Sequence, residues 1–197
     1  MRKNRKINAH GIDDKTVAAR RAVAGYTAAD AVIAIAAAAA VNVCLGSVRV
    51  KETSMQPNFF DGDVLLIDKT AYRRRAPRRG DVIVFRTRAR GLPKYFIKRV
   101  IGLPGDVVGI SGGEVRVNGK TLDQSYTKDG ITGGAEAEER EVPAGRLFVL
   151  GDNRAVSLDS RNDAIGCVRI SDVEGTAFFR LAPRRMFGRL PRLGADE

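Results

Sequence analysis

One uninterrupted apolar stretch limits this chain more than anything else in it. Residues 31–50 read AVIAIAAAAAVNVCLGSVRV, and the first eighteen of them carry no charge. As a helix, eighteen residues span about 27 Å, close to the thickness of a bilayer core. Residues 22–29 lengthen the run, with Asp30 the one ionised group between. Alanine dominates the stretch, so its drive into lipid is weaker than that of a leucine-rich span. Three readings fit: a permanent anchor, a cleaved signal peptide with small residues such as Ala38 and Ala40 at its cleavage site, and a buried alanine-rich helix. The basic region that precedes the stretch is long for a signal peptide, which favours an anchor over residues 22–48.

Charge orients that anchor. Residues 1–21 hold seven cations (Arg2, Lys3, Arg5, Lys6, Lys15, Arg20, Arg21) against Asp13 and Asp14, so seven minus two gives +5 of the chain's +11. A basic flank on the N-terminal side keeps that end in the cytoplasm and sends the chain beyond the anchor outside. The expected organisation is a basic cytoplasmic tail (1–21), a single membrane span (22–48), an extracytoplasmic domain (49–190) and a short tail (191–197). A second basic group, Arg180, Arg184, Arg185, Arg189 and Arg192, lies near the C-terminus. Charge of this kind beside an apolar span suits a bilayer with anionic lipids. No zinc-finger spacing, RNA-binding aromatic motif or helix-turn-helix pattern accompanies it, so nucleic acid is not expected as the partner. Cys44 and Cys167 are far apart and are not expected to pair, and one histidine with two cysteines makes a zinc site improbable.

The domain after the anchor reads as mainly antiparallel β. Short Val- and Ile-rich runs (63–67, 81–85, 96–101, 107–117, 147–150) are punctuated by glycine-bearing turns, with Asn118–Gly119 marking a tight hairpin. Residues 126–141 are polar and acidic and read as a mobile surface loop.

The available chemistry narrows by elimination. The only histidine is His10, in the N-terminal tail, so neither a Ser–His–Asp triad nor a Cys–His pair fits the external domain. A Ser–Lys pair remains as a variant. A lysine of ordinary pKa is neutral in about one molecule in 2,500 at pH 7, so it acts as a base only where burial disfavours the ammonium. Lys98 sits between Phe96–Ile97 and Val100–Ile101, and strand alternation puts Phe96, Lys98 and Val100 on one face. Lys69, Lys94 and Lys120 occupy polar or turn-like positions and are expected in solvent. Ser54 lies six residues beyond the span, at most about 20 Å of extended chain, so it works close to the membrane surface.

Four segments extend this reading: Ser54–Met55–Gln56–Pro57; Gly62–Asp63–Val64–Leu65; Arg79–Gly80–Asp81–Val82 with Lys98 through Asp106 (KRVIGLPGD); and Gly151–Asp152–Asn153–Arg154 through Ser157, Asp159, Ser160 and Arg161. In order and spacing they resemble the motif boxes of the bacterial type I signal peptidases, over most of residues 47–190. The resemblance implies an antiparallel β fold of the S24/S26 peptidase type, with a surface that dips into the membrane, for which Phe59 and Phe60 are the candidates. It implies Ser54 as nucleophile and Lys98 as general base, with Ser157 orienting the lysine and Asp159 an acidic group near it. It further implies an Asp152–Arg161 ion pair, Met55 and Ile97 lining small pockets for an Ala-x-Ala substrate, and no metal or cofactor. The implied partners are the signal peptides of secretory pre-proteins, cut by an enzyme that functions as a monomer. The chain departs from the family pattern at Thr53, where glycine is common, and at Glu52, which when ionised is no oxyanion donor. Three alternatives stay open: a self-cleaving repressor protease, which would need a DNA-binding module before the protease; a narrow-specificity peptidase for a surface structure such as a pilus; and an inactive membrane-tethered binding homologue.

Overall fold

The computed structural model describes residues 27–88, 90–128, 137–183 and 187–190. The basic tail, residues 22–26, the centre of the expected loop and residues 191–197 lie outside them. The chain divides into a first unit, Met1–Val43, and a second, Cys44–Glu197.

Helix α1 (Ala28–Cys44) carries the alanine-rich sequence. Thr27 caps it: its N–H donates to the Asp30 carboxylate at 2.7 Å, and the Asp30 N–H donates back to the Thr27 hydroxyl at 3.2 Å. This reciprocal capping satisfies two donors that a helix start leaves open, and it accounts for the lone acid in the apolar stretch. The helix is shorter than the expected span of 22–48. No helix among the described residues is long and apolar enough to cross a membrane. The stretch stops being helical at Cys44 because the next five residues have a better use for their backbone groups. They form strand β1 (Leu45–Arg49), paired antiparallel with β2 (Val64–Asp68) from Leu45↔Asp68 to Arg49↔Val64. The Lys69 N–H also donates to the Cys44 carbonyl at 2.8 Å.

The second unit is mainly antiparallel β, as its pattern predicts. After β2 and a one-turn helix α2 (Ala71–Arg74) come β3 (Val82–Arg86), β4 (Tyr95–Gly102), β5 (Val107–Ser111), β6 (Glu114–Val117), β7 (Lys120–Thr121), β8 (Ala137–Glu141), β9 (Arg146–Leu150), β10 (Val168–Arg169), β11 (Val173–Ala182) and β12 (Gly188–Arg189). The larger sheet runs β1-β2-β11-β3-β4-β9-β10, with β12 added to β11, and the smaller runs β7-β6-β5-β8. The expected tight turn joins β6 to β7, where Asn118 and Gly119 take φ of 52° and 77°, the left-handed pair a two-residue hairpin needs.

Two expectations change. Residues 137–141 are not loop but strand β8, pairing with β5; the sequence shows no alternation there because residues 138–141, on an edge strand, are all charged and exposed. The long strand β11, absent from the expected strand runs, sits between β2 and β3 in the larger sheet.

β4 reads as almost continuously apolar because both its faces are covered. Phe96 and Val100 pack with Ile83, Phe85, Leu147 and Val149, while Ile101 joins Val108, Ile110, Val115 and Phe148 against the smaller sheet. A third cluster holds Val50, Met55, Phe59, Leu65 and Val82. Phe59 is therefore core rather than membrane-facing: it is 3% exposed, against 41% for Phe60, and the Arg180 guanidinium lies 5.2 Å from its ring centre. Denaturant titration should separate the two rings. Phe59→Ala is expected to cost about 3–5 kcal/mol and Phe60→Ala less than about 0.5 kcal/mol.

Candidate active site

Lys98, picked out by its apolar neighbours, and Ser54, picked out by the motif box it opens, meet. Lys98 is 1% exposed. Its Nζ donates to Ser54 Oγ at 2.8 Å and to the Ile97 carbonyl at 3.0 Å. The Phe96 ring centre is 5.2 Å away, as expected for two residues on one strand face. Among the described residues no carboxylate pairs with the amine. Burial therefore dominates and lowers the lysine pKa from 10.5 to about 8, against the weaker upward pull of Asp159, Glu52 and Asp152. A pKa near 8 leaves roughly a tenth of the molecules with a neutral amine at pH 7, several hundred times more than an ordinary lysine. Lys69, Lys94 and Lys120 are all exposed.

Ser54 is carried by the turn after β1, and the segment after β9 fixes that turn. The Ser54 carbonyl accepts from the Asn153 N–H at 3.0 Å, and the Thr53 carbonyl accepts from Asn153 Nδ2 at 3.2 Å. Gly151 is required by this approach, since a Cβ there would collide with the Ser157 side chain and come within 2.5 Å of the Ser54 carbonyl oxygen. Ser54, Met55, Ile97 and Lys98 line a cavity of about 390 Å³, together with Val50 and Tyr95. Glu52, with φ of 74°, lies on its rim.

The supporting residues gather as expected but pair differently. Asp152 does not meet Arg161. It takes a two-pronged ion pair from Arg99, Nε at 2.8 Å and Nη2 at 2.6 Å, with both side chains at most 1% exposed. Arg161 pairs instead with Asp159 at 2.8 Å, and Asp159 also accepts the Gly151 N–H at 3.0 Å. The reason is geometric: Arg99 projects from β4 straight at the end of β9, whereas Arg161 is held two residues from Asp159 in its own loop. Asn58 Nδ2 adds a 2.9 Å bond to the same Asp152 carboxylate, which ties the serine loop to the ion pair. The Ser157 hydroxyl is buried without a hydrogen-bond partner and makes no bond to Lys98.

Arg99, Asn58 and Asn153 were not singled out from the sequence. Arg99 had a signal, a second charge inside the FIKRVI run. Chemically, a buried amine of lowered pKa bonded to a hydroxyl at a cleft can serve as a nucleophile–base pair.

Comparison with known proteins gives a consistent assignment. The family profile described as "Signal peptidase, peptidase S26" matches residues 24–182. The probable signal peptidase I-2 of Synechocystis sp. is 40% identical over 149 residues, which is 74% of this chain and 64% of that protein. The signal peptidase I of Bacillus caldolyticus is 38% identical over 150 residues, 70% of this chain and 80% of that one. A signal peptidase I of Enterococcus faecalis V583, known from a crystal structure, is 31% identical with a TM-score of 0.42, covering 52% of this chain and 97% of that one.

The site makes two predictions about stability. Arg99→Met or Asp152→Leu alone strands a buried charge and is expected to cost about 3–5 kcal/mol, with the double replacement much milder; chemical denaturation of all three variants checks this. Lys98→Met should act in the opposite sense. The folded chain releases this proton near 8 and the unfolded chain near 10.5, so between those values stability rises with pH. The methionine variant is therefore expected to be about 1–3 kcal/mol more stable at pH 7. That advantage should fade as pH approaches the unfolded value, and thermal melts across pH would show it.

Proposed function

This chain belongs to the peptidase S26 family of signal peptidases, and on that footing we propose that it works as a type I signal peptidase, a serine endopeptidase that removes the signal peptides of secretory pre-proteins after small residues. The observation that carries the reading is the 2.8 Å bond between a buried lysine amine and a serine hydroxyl, with the lysine pKa brought down to about 8.

In the reaction we assign, neutral Lys98 takes the Ser54 proton as Oγ attacks the carbonyl carbon of the last signal-peptide residue. The Ser54 N–H donates to the oxyanion of the tetrahedral intermediate. The Lys98 ammonium then returns its proton to the leaving amine, the C–N bond breaks, and the mature chain departs from a Ser54 ester. Water attacks that ester while Lys98 takes its proton; the ester C–O bond breaks, and Ser54 recovers a proton from Lys98. Met55 and Ile97, on the cleft wall, are assigned to the pockets for the small substrate side chains. Asp152 and Asp159 act at a distance, as structural acids held by Arg99 and Arg161. Ser157 is assigned to positioning the lysine once substrate displaces the Ser54 bond.

The reading places the enzyme at the cell membrane, with residues 1–21 cytoplasmic, residues 22–48 as the single span and the β domain outside. A bilayer with anionic lipids suits the +5 flank, and one copy of the chain holds a complete Ser–Lys pair.

Cleavage of a pre-protein in lipid by wild type, Ser54→Ala and Lys98→Ala tests the proposal. Both variants are expected to lose at least about a thousandfold in kcat/KM, and equal cleavage by all three would overturn it. For wild type, kcat/KM should rise with pH and level off above an apparent pKa near 8, because the neutral amine is the active form.

A further inference from the structure

Away from the cleft, the β9–β10 edge sets two arginines opposite each other across the strand pair. β10 is only two residues long and pairs antiparallel with β9 in the register Val168↔Leu147 and Arg169↔Arg146. Like charges directly opposite across a strand pair repel and weaken the pairing. Among the described residues no carboxylate pairs with either arginine. Arg146 Nη1 donates to the Cys167 carbonyl at 3.0 Å, which fixes that guanidinium beside the pair.

Both arginines line a recess of about 180 Å³, together with Arg86, Thr87, Arg88 and Asp172. Arg88 is neutralised by Asp172 at 2.6 Å and Arg86 by Glu174 at 2.9 Å. The unbalanced charge of the recess is thus that of Arg146 and Arg169. Its volume falls below the roughly 300–1,000 Å³ of pockets for drug-sized ligands, so its occupant is small. Guanidinium forks bind tetrahedral oxyanions in two-pronged fashion.

We propose that Arg146 and Arg169, facing each other across β9 and β10 at this recess, form a binding site for a phosphate-class oxyanion, separate from the Ser54–Lys98 cleft. The bound anion relieves the cross-strand repulsion and pins the short β10 edge. The chemistry is common to inorganic phosphate and to the phosphodiester of an anionic lipid headgroup.

The test uses the full chain in neutral detergent, titrated with inorganic phosphate and, separately, with a water-soluble short-chain phosphatidylglycerol, each against chloride at matched ionic strength. At least one is expected to raise Tm saturably, by about 5 °C at a hundredfold excess over Kd. Saturation by phosphate alone identifies a free anion; saturation by the lipid identifies a headgroup. R169Q should abolish the shift, melt no lower than wild type without ligand because the repulsion is gone, and cleave substrate at the wild-type rate. The proposal is overturned if neither ligand exceeds chloride, or if the shift survives in the R146Q/R169Q double variant. Neither outcome bears on the Ser54–Lys98 reading, whose test is cleavage.

Discussion

Two neighbouring cations on one strand, buried to the same depth, have opposite fates, and the site depends on that difference. Lys98 and Arg99 are each 1% exposed and leave β4 on opposite faces. Arg99 meets Asp152 in a two-pronged pair, so its charge has an opposite partner. Lys98 meets only a hydroxyl and a carbonyl, so its charge is disfavoured and its proton is released early. If Asp152 faced Lys98 instead, the amine would be held as ammonium and would serve poorly as a base. Committing the Asp152 carboxylate to Arg99 leaves it only a weak upward pull on the lysine, smaller than the effect of burial.

The same ion pair also solves a positional problem. Ser54 and Lys98 are 44 residues apart in sequence, on a turn and a strand with no direct backbone ladder between them. The junction is made by the residues after β9. Asn58 reaches from the serine loop to the Asp152 carboxylate, and Asn153, next along, bonds the Ser54 and Thr53 carbonyls. Asp159 and Arg161 close the far side of that loop, the Arg161 guanidinium bonding the Arg154 carbonyl at 2.6 Å. The serine hydroxyl is thus located by three chain segments rather than by its own turn, which is how a nucleophile is held within hydrogen-bond reach of its base.

How much of this was legible depends on the kind of information a sequence pattern encodes. Lys98 was legible because elimination left a Ser–Lys pair and this lysine lay among apolar neighbours, whereas Ser54 was legible through the resemblance of its motif box. The β class and the hairpin turn at Asn118–Gly119 were legible because turn residues mark strand ends locally. Ion-pair partners were not, because the motif boxes hold more than one arginine and acid, and sequence order does not say which pairs fall within three ångströms. The end of α1 at Cys44 was missed because Leu45 and Val48 are as apolar as the helix before them; only pairing with β2, fifteen to twenty-three residues on, turns them into a strand. β11 was missed for a related reason: Gly175 and Arg180 interrupt its alternation, and Arg180 is tolerated in the interior because Asp63, the Asn58 carbonyl and the Phe59 ring, all distant in sequence, surround it.

Burial at this site has a thermodynamic consequence that shapes its surroundings. Bringing a lysine pKa from 10.5 to about 8 corresponds to about 3 kcal/mol against folding at neutral pH, a sizeable part of the 5–15 kcal/mol that holds a typical domain together. Around it, polar burial is otherwise compensated: Arg154 bonds the Gly151 carbonyl, Gln124 and Tyr126, and Asp159 and Asp152 each have a guanidinium. Among the described residues the Ser157 hydroxyl is a clear departure, buried with no partner and packed where a side chain on Gly151 would lie. A buried amine that has hydrogen bonds but no carboxylate partner and a buried hydroxyl with no hydrogen bond thus lie near the same serine. A buried polar group left unsatisfied is rare because it is expensive, so the Ser157 hydroxyl marks a place where packing has not been optimised for stability alone.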